Sequence, residues 1–272
     1  MANKQPSLSH FLLSDARHYQ ILFLTLFLCY GIYFLGWNAN WKQYFITFLF
    51  AIITQLGGIY WKNQPYSSLK SALITALSLS ILFKANSLLI VALAATLAIG
   101  SKFLFRHGKK HFFNPANFGI IATILLTNNA WISPGQWGNS ATILFLVGSL
   151  GLWVLYRVGR FDLCFAFLGT FGTLQFYRQI LYLGWTTDVW VQQMTSGSLL
   201  LFSFFMITDP VSTPNNQYAR IIWAMLLAVV AYILSVYYFI NATPVWTLFF
   251  FSPLTPLFDK IFQPQKRFSW AI

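Results

Sequence analysis

Acidic side chains are nearly missing from this chain: five aspartates in 272 residues, and no glutamate. Charge of either sign is scarce, at 8% of residues, against about 25% in soluble domains. So little charge cannot dress a water-facing surface, which excludes an ordinary soluble globular protein. The aspartates are far apart in sequence, there is no Ser-His-Asp order, and no Gly-rich phosphate loop occurs. Stand-alone acid–base or nucleophilic catalysis is therefore not expected. Cysteine is almost absent too: Cys29 and Cys164 both fall in apolar runs, with no CxxC and no histidine at ligand spacing. They read as small buried hydrophobes, and no metal centre is expected.

What is present is hydrocarbon-like sequence, 57% apolar and 19% aromatic. Apolar windows of about 20 residues recur along the whole length, the signature of membrane-spanning helices. The spans read as 20–36, 43–60, 69–84, 87–105, 116–130, 140–157, 162–184, 190–208, 219–240 and 244–261. Continuous apolarity, without alternation, excludes a transmembrane β-barrel. The first span lacks a small-residue cleavage site and runs straight into more membrane sequence, so it is not read as a signal peptide. The expected architecture is an all-α polytopic membrane protein of about ten transmembrane helices. It comprises an N-terminal tail at 1–19, one transmembrane domain at 20–262 and a C-terminal tail at 263–272. His10 and His18, in the N-terminal tail, read as solvated.

The net charge of +12 invites a nucleic-acid partner, and its distribution rejects one. Even-numbered loops, their flanking helix ends and the two tails hold 14 Lys and Arg residues. Odd-numbered loops hold two, Lys42 and Lys84, while Arg178 falls within a span and reads as snorkelling toward its outer end. That is a positive-inside pattern. It places both termini in the cytoplasm of a multi-pass protein of the inner or plasma membrane. The partner it implies is the lipid bilayer.

Two phrases break the apolar pattern with the same local grammar. HFFNPANFG at 111–119 and FMITDPVSTP at 205–214 each place a small polar acceptor before a proline. Asn and Asp are strong helix caps, and Pro suits the first helical position. Asn114-Pro115-Ala116 and Asp209-Pro210-Val211 therefore both read as helix entrances at the cytoplasmic border. The prolines are 95 residues apart, and neighbouring spans echo that spacing, which suggests an internal repeat. A cap is obligatory in hydrocarbon, because free N–H groups there must be satisfied. A carboxylate bordering the membrane is also costly, and so a functional candidate. Asn114, Pro115, Thr208, Asp209, Pro210 and Ser212 are thus the candidates for holding a cofactor or an ion. The basic cluster Arg106, Lys109, Lys110 and His111, directly before the first phrase, reads as a lipid-contacting loop or as a docking site for an anionic partner. Gly57, Gly58, Gly169, Gly172 and Gly197 interrupt spans and read as helix-packing positions.

HFFNPANFGIIATILL and GSLLLFSFFMITDPVSTP resemble segments of one family. It comprises the membrane D subunit of the Rnf electron-transport complex and the B subunit of sodium-pumping NADH:quinone reductase. The resemblance implies a redox subunit working beside other membrane redox subunits. It also implies a flavin (FMN) joined covalently to a Thr in a Ser-Gly-Ala-Thr-like motif between the fifth and sixth spans. Here that loop is short, NNAWISPGQWG, and the nearest string, Asn139-Ser140-Ala141-Thr142, lacks the Gly. Covalent FMN on Thr142 is therefore not expected, and the cofactor reading narrows to a noncovalent flavin or quinone near Asn114 and Asp209. Two other readings stay open: a transporter or channel for a small solute or cation, and an accessory membrane protein of a biosynthetic pathway.

Overall fold

The computed structural model describes residues 15–37, 39–108, 110–133 and 141–262, with side chains undescribed at 141–147. The long segments are α1 (Ala16–Tyr33), α2 (Trp41–Lys62), α3 (Leu69–Leu82), α4 (Leu88–Leu104), α5 (Pro115–Thr127), α6 (Ala141–Val158) and α7 (Phe161–Phe176). They are followed by α8 (Thr187–Met194), α9 (Gly197–Leu201), α10 (Gln217–Tyr237), α11 (Thr243–Phe251) and α12 (Thr255–Ile261). Two helices end in π turns, α7 at Tyr177–Tyr182 and α9 at Phe202–Met206. Helix follows each of the ten apolar segments within a few residues. Among the described residues, α2 and α10 are long and apolar enough to cross a membrane by themselves. The eighth segment is interrupted at Thr195–Ser196, between α8 and α9, and the tenth at Ser252–Leu254, between α11 and α12.

Short polar residues set the helix boundaries. Asn40 caps α2, Ser87 caps α4 and Asn216 caps α10, each accepting from a backbone N–H inside the first turn. α2 and α5 stop at Asn63 and Asn128, both left-handed, as Asn tolerates at a helix C-terminus. α1 starts four residues before the expected span, because Asp15 accepts the Arg17 N–H and serves as its cap. His18 is consequently not solvated: it lies on α1 and is buried, as it faces the packed helices. His10 and Lys109 lie outside the described residues. Cys164 is buried as expected, whereas Cys29 is exposed on the outer face of α1.

Packing is closest where side chains are smallest. α4 lies along α5, and at their contact Gly119 faces Ala94 and Ala98 so tightly that an added Cβ would sit 2.5 Å from the Ala98 Cβ. Gly58 on α2 likewise receives the Phe103 ring of α4. Such small-residue contacts let helix backbones approach where no aqueous driving force operates. α1 and α2 pack on α3, α2 on α4, and α7 and α11 on α10. At one end of α4 two antiparallel strands, β1 (Phe83–Ala85) and β4 (Ala130–Ile132), pair Lys84 with Trp131. At its other end β2 (Arg106–His107) and β3 (Lys110–His111) form a small hairpin.

Candidate functional site

The first phrase builds the helix entrance that its residues imply. Asn114 is extended, and its Oδ1 accepts the Asn117 N–H at 3.1 Å, with Pro115 at the first helical position. Its Nδ2 donates to the Met206 carbonyl at 3.1 Å, so one side chain ties together phrases 92 residues apart. That carbonyl has few other options. Pro210, four residues on, carries no N–H, and the Val211 N–H is taken by Asp209 Oδ1 at 3.1 Å. Asn117, fully buried, extends the link by donating to the Val245 carbonyl of α11 at 2.7 Å, while its Oδ1 has no hydrogen-bond partner among the described residues.

The second phrase departs from its expected geometry. Asp209-Pro210-Val211 does not open an α-helix: residues 210–212 form a turn, and the helix begins at Gln217 under the Asn216 cap. The Thr213 hydroxyl donates to the Asp209 carbonyl at 3.0 Å, and the Ser212 hydroxyl at 3.4 Å, closing the chain into a loop before a helix can propagate. Asp209 still accepts from the N–H two residues on, as a cap does, but within an Asx-type turn. Its carboxylate lies 3.8 Å from His111 Nε2. Burial would raise this carboxyl, but His111 and the Val211 N–H outweigh it and hold the group below its ordinary value.

Asn114, Pro115 and Asp209 line a small cavity of about 60 Å³ with Gln20, Ser71 and Phe205. A second cavity of about 170 Å³ shares Arg17, Ser71 and Asp209 with it, so the two adjoin as halves of a cleft divided at those residues. Of the other residues expected here, Thr208 is buried and bonds back to the Phe204 carbonyl at 2.5 Å. Pro210 is buried in the turn, and the Ser212 carbonyl accepts from Thr255 at 3.2 Å. These three support the loop and do not line the cleft.

Two charged side chains of the cleft were not among the expected site residues. Lys102, on the last turn of α4, is buried, and its Nζ donates to Ser71 Oγ at 3.1 Å and Gln55 Oε1 at 3.4 Å. Arg17 lines both halves of the cleft and forms an ion pair of 2.7 Å with Asp15, which Lys70 also reaches at 3.1 Å. Burial opposes ionisation of Asp15, but Arg17 and Lys70 bring its pKa down to about 2. The basic cluster is tied inward. His111 meets Asp209, Arg106 lines the larger half, and Lys110 pairs with Asp259 at 2.7 Å and donates to the Thr213 carbonyl. Asp259 also accepts the Asn215 N–H at 2.7 Å, and Arg220 joins Asp162 at 2.6 Å to the Asn215 carbonyl at 2.8 Å. Four of the five aspartates thus meet basic partners, three of them (Asp162, Asp209 and Asp259) at the 209–216 loop.

A different cavity, of about 210 Å³, lies where the eighth segment is interrupted. Gln193, Ser196, Ser198, Asn241 and Thr243 line it with apolar side chains, and none of its lining residues is charged. Gln179 donates to Gln193 beside it. Phe239 and Ala242 are left-handed there, at φ 53° and 54°, a strained conformation for side chains of their kind.

The fold is a mainly helical, apolar scaffold with a charged cleft between two chain phrases, and two of its described helices are long and apolar enough to cross a membrane. Residues 124–267, just over half of the chain, match the family described as NQR2, RnfD, RnfE. The chain belongs to that family. The match includes FMITDPVSTP and leaves HFFNPANFG outside it. The chain is also similar to the D subunit of the ion-translocating oxidoreductase complex of Stutzerimonas stutzeri, at 27% identity over 139 residues, which cover 49% of this chain and 37% of that relative. It is 28% identical over 137 residues to the D subunit of the proton-translocating ferredoxin:NAD(+) oxidoreductase complex of Clostridium ljungdahlii, covering 48% of this chain and 39% of that relative. The matched stretches therefore span under two fifths of these relatives.

Proposed function

We propose that this chain is a membrane-embedded subunit of a redox-linked, ion-translocating complex, and that its cleft holds a noncovalent flavin or a quinone. One observation carries the reading: Asn114 bridges to Met206, which brings the two phrases of like grammar against the same cavity. The residues fit a flat ring with a hydrogen-bonding edge. Gln20 and Ser71 offer neutral polar groups, and Thr75 and Ser78 acceptor oxygens, beside Phe205 and Met206, and the buried Asn117 Oδ1 nearby lacks a donor. A flavin or quinone would supply the electron chemistry, and the chain's side chains would bind it, orient it and exclude water. The proposal includes ten spans with both termini in the cytoplasm, and neighbouring redox subunits as partners.

The test is optical. The protein purified from its native membrane should be coloured or release a quinone on extraction. After acid precipitation any flavin should leave with the supernatant, with no fluorescent band at the protein in a denaturing gel. A colourless protein that yields neither flavin nor quinone would overturn the reading. A fluorescent band lost in Thr142→Ala would replace it with covalent attachment. Thr142 itself lies where side chains are not described.

A second reading, passage of a small solute or cation, draws on the uncharged 210 Å³ cavity beside the interrupted helices. Flux into liposomes containing this chain alone, with no reductant, would favour it over the redox reading.

A further inference from the structure

The two loop lysines that depart from the positive-inside pattern, Lys42 and Lys84, line one cavity of about 680 Å³. They reach it from different elements, Lys42 from the first turn of α2 and Lys84 from the middle of β1. Gln43 ties those elements together, its Nε2 donating to the Ala85 carbonyl at 2.8 Å. The hairpin register sets Trp131 of β4 opposite Lys84, and Trp41 directly precedes Lys42. Both tryptophans line the same cavity, and Trp41 is 63% and Trp131 48% exposed.

Neither lysine meets a carboxylate. All five aspartates are among the described residues, and the ion pairs there include neither Lys42 nor Lys84. Lys84 is partly buried, with its Nζ over the Tyr44 ring at 5.6 Å from the centroid. A ring face attracts an ammonium without neutralising it. Two ammonium groups on one cavity repel each other, and an anion there removes that repulsion while accepting a charge-assisted hydrogen bond from each. The surface that continues from the cavity says which anion. Trp41, Phe45, Leu49, Ile53 and Leu56 are exposed along α2 at spacings of three and four, which is one helix face. From Trp41 to Ile53 that face rises about 18 Å, more than the ~15 Å that one leaflet contributes to a hydrocarbon core of about 30 Å. Positive charge at the head, tryptophan at the border and an apolar face below match an anionic phospholipid. A free anion would engage the lysines and leave the face aside.

We infer that the cavity at Lys42 and Lys84 is a headgroup site for one anionic phospholipid, with its phosphodiester at the two ammonium groups and an acyl chain along the Trp41–Leu56 face of α2. A zwitterionic headgroup brings a cation of its own toward the lysines, so the site selects net negative lipid. The bound lipid joins the entrance of α2 to the β1–β4 hairpin, adding to the link that Gln43 makes. The topology proposed above puts this site in the outer leaflet, opposite the surface where the other loop basic residues lie. Binding in detergent does not depend on that orientation, nor on what the charged cleft holds.

The experiment uses the full chain, purified in detergent and delipidated, then titrated with dioleoyl phosphatidylglycerol or dioleoyl phosphatidylcholine. Native mass spectrometry reads the affinity of the first bound lipid. The parent should bind phosphatidylglycerol at least tenfold more tightly than phosphatidylcholine. Lys42→Gln and Lys84→Gln should each weaken phosphatidylglycerol at least threefold and leave phosphatidylcholine within twofold, while Lys42→Arg retains the parent affinity. Lys62→Gln, which removes a basic residue from the other end of α2, should stay within twofold for both lipids. Lys42 is exposed, so its variant decides the matter should Lys84→Gln fail to fold. An equal loss in Lys62→Gln would mean general charge attraction and overturn the site, as would unchanged affinity in Lys42→Gln. No preference in the parent would also overturn it, and would turn the two lysines toward an acidic surface of a partner protein. Inorganic phosphate raising the melting temperature as much as phosphatidylglycerol does, at matched ionic strength, would replace the lipid with a free anion.

Discussion

Replacing Asn114 by alanine removes two hydrogen bonds with separable roles. The cap to Asn117 N–H stabilises the first turn of α5, and losing such a cap costs about 0.5–2 kcal/mol. The bond to Met206 has a different value, because the carbonyl it serves has Pro210 four residues on and a committed Val211 N–H five residues on. Leaving a buried carbonyl unsatisfied costs about 1–3 kcal/mol. Asn114→Ala should therefore destabilise the protein by about 1.5–5 kcal/mol, the combined range of a lost cap and an orphaned acceptor. Asn114→Ser keeps a capping oxygen but is too short to reach Met206, and should recover only the cap. Thermal inactivation of the parent and the two variants in one detergent measures the series, with the order parent, Ser, Ala. Ser behaving like the parent would mean that the Met206 carbonyl does not depend on Asn114. Ser behaving like Ala would mean that the cap contributes nothing.

Three further outcomes are expected. Asp209 has a depressed pKa, so its contribution to stability is present above the unfolded value of 3.8 and is lost as pH falls toward the lower folded value. Asp209→Asn should keep the Val211 bond yet flatten that acid limb in a melting series from pH 6 to pH 3, and an unchanged slope would refute the assignment. Gly119→Ala places a Cβ 2.7 Å from the Ala94 carbonyl oxygen and should cost about 1–3 kcal/mol by overpacking, whereas Gly100→Ala on the same helix pair meets nothing within 4 Å and should be tolerated. An impermeant thiol reagent applied to whole cells should label a cysteine placed at Lys42 and not one placed at His107; the opposite pattern would invert the topology.

The helix entrance at Asn114 was legible because a small polar acceptor stands there before a proline at the head of an apolar run. The second phrase misled because Asp-Pro is equally good chemistry for a turn. Ser212 and Thr213 decide for the turn by bonding back to the Asp209 carbonyl, and Asn216 before Gln217 was the better cap signal. Lys102 read as one basic residue among 14 on the same side. Its burial follows from α2, α3 and α4 meeting around it, which no local spacing encodes. Arg17 and His18 were assigned to a solvated tail because the apolar run begins at Ile21, yet Asp15 starts the helix before the hydropathy rises. The tie from Asn114 to Met206 needs both phrases in three dimensions. Their similarity in sequence hinted at kinship and gave no sign of contact.

Helices have a phase, and a π turn is a slip in it. Each extra residue accommodated in such a turn rotates everything after it by about 100°, the angle between successive residues of an α-helix. The π turn at Phe202–Met206 ends three residues before Asp209, so the faces of α9 and of the 207–209 segment are read in different phases. A relative that lacks one residue there would align well on either side of the gap. An alignment without the gap would assign cleft-facing roles to side chains that point elsewhere. Roles transferred across 202–206 therefore have to be counted from Asp209 backward, not from Gly197 forward.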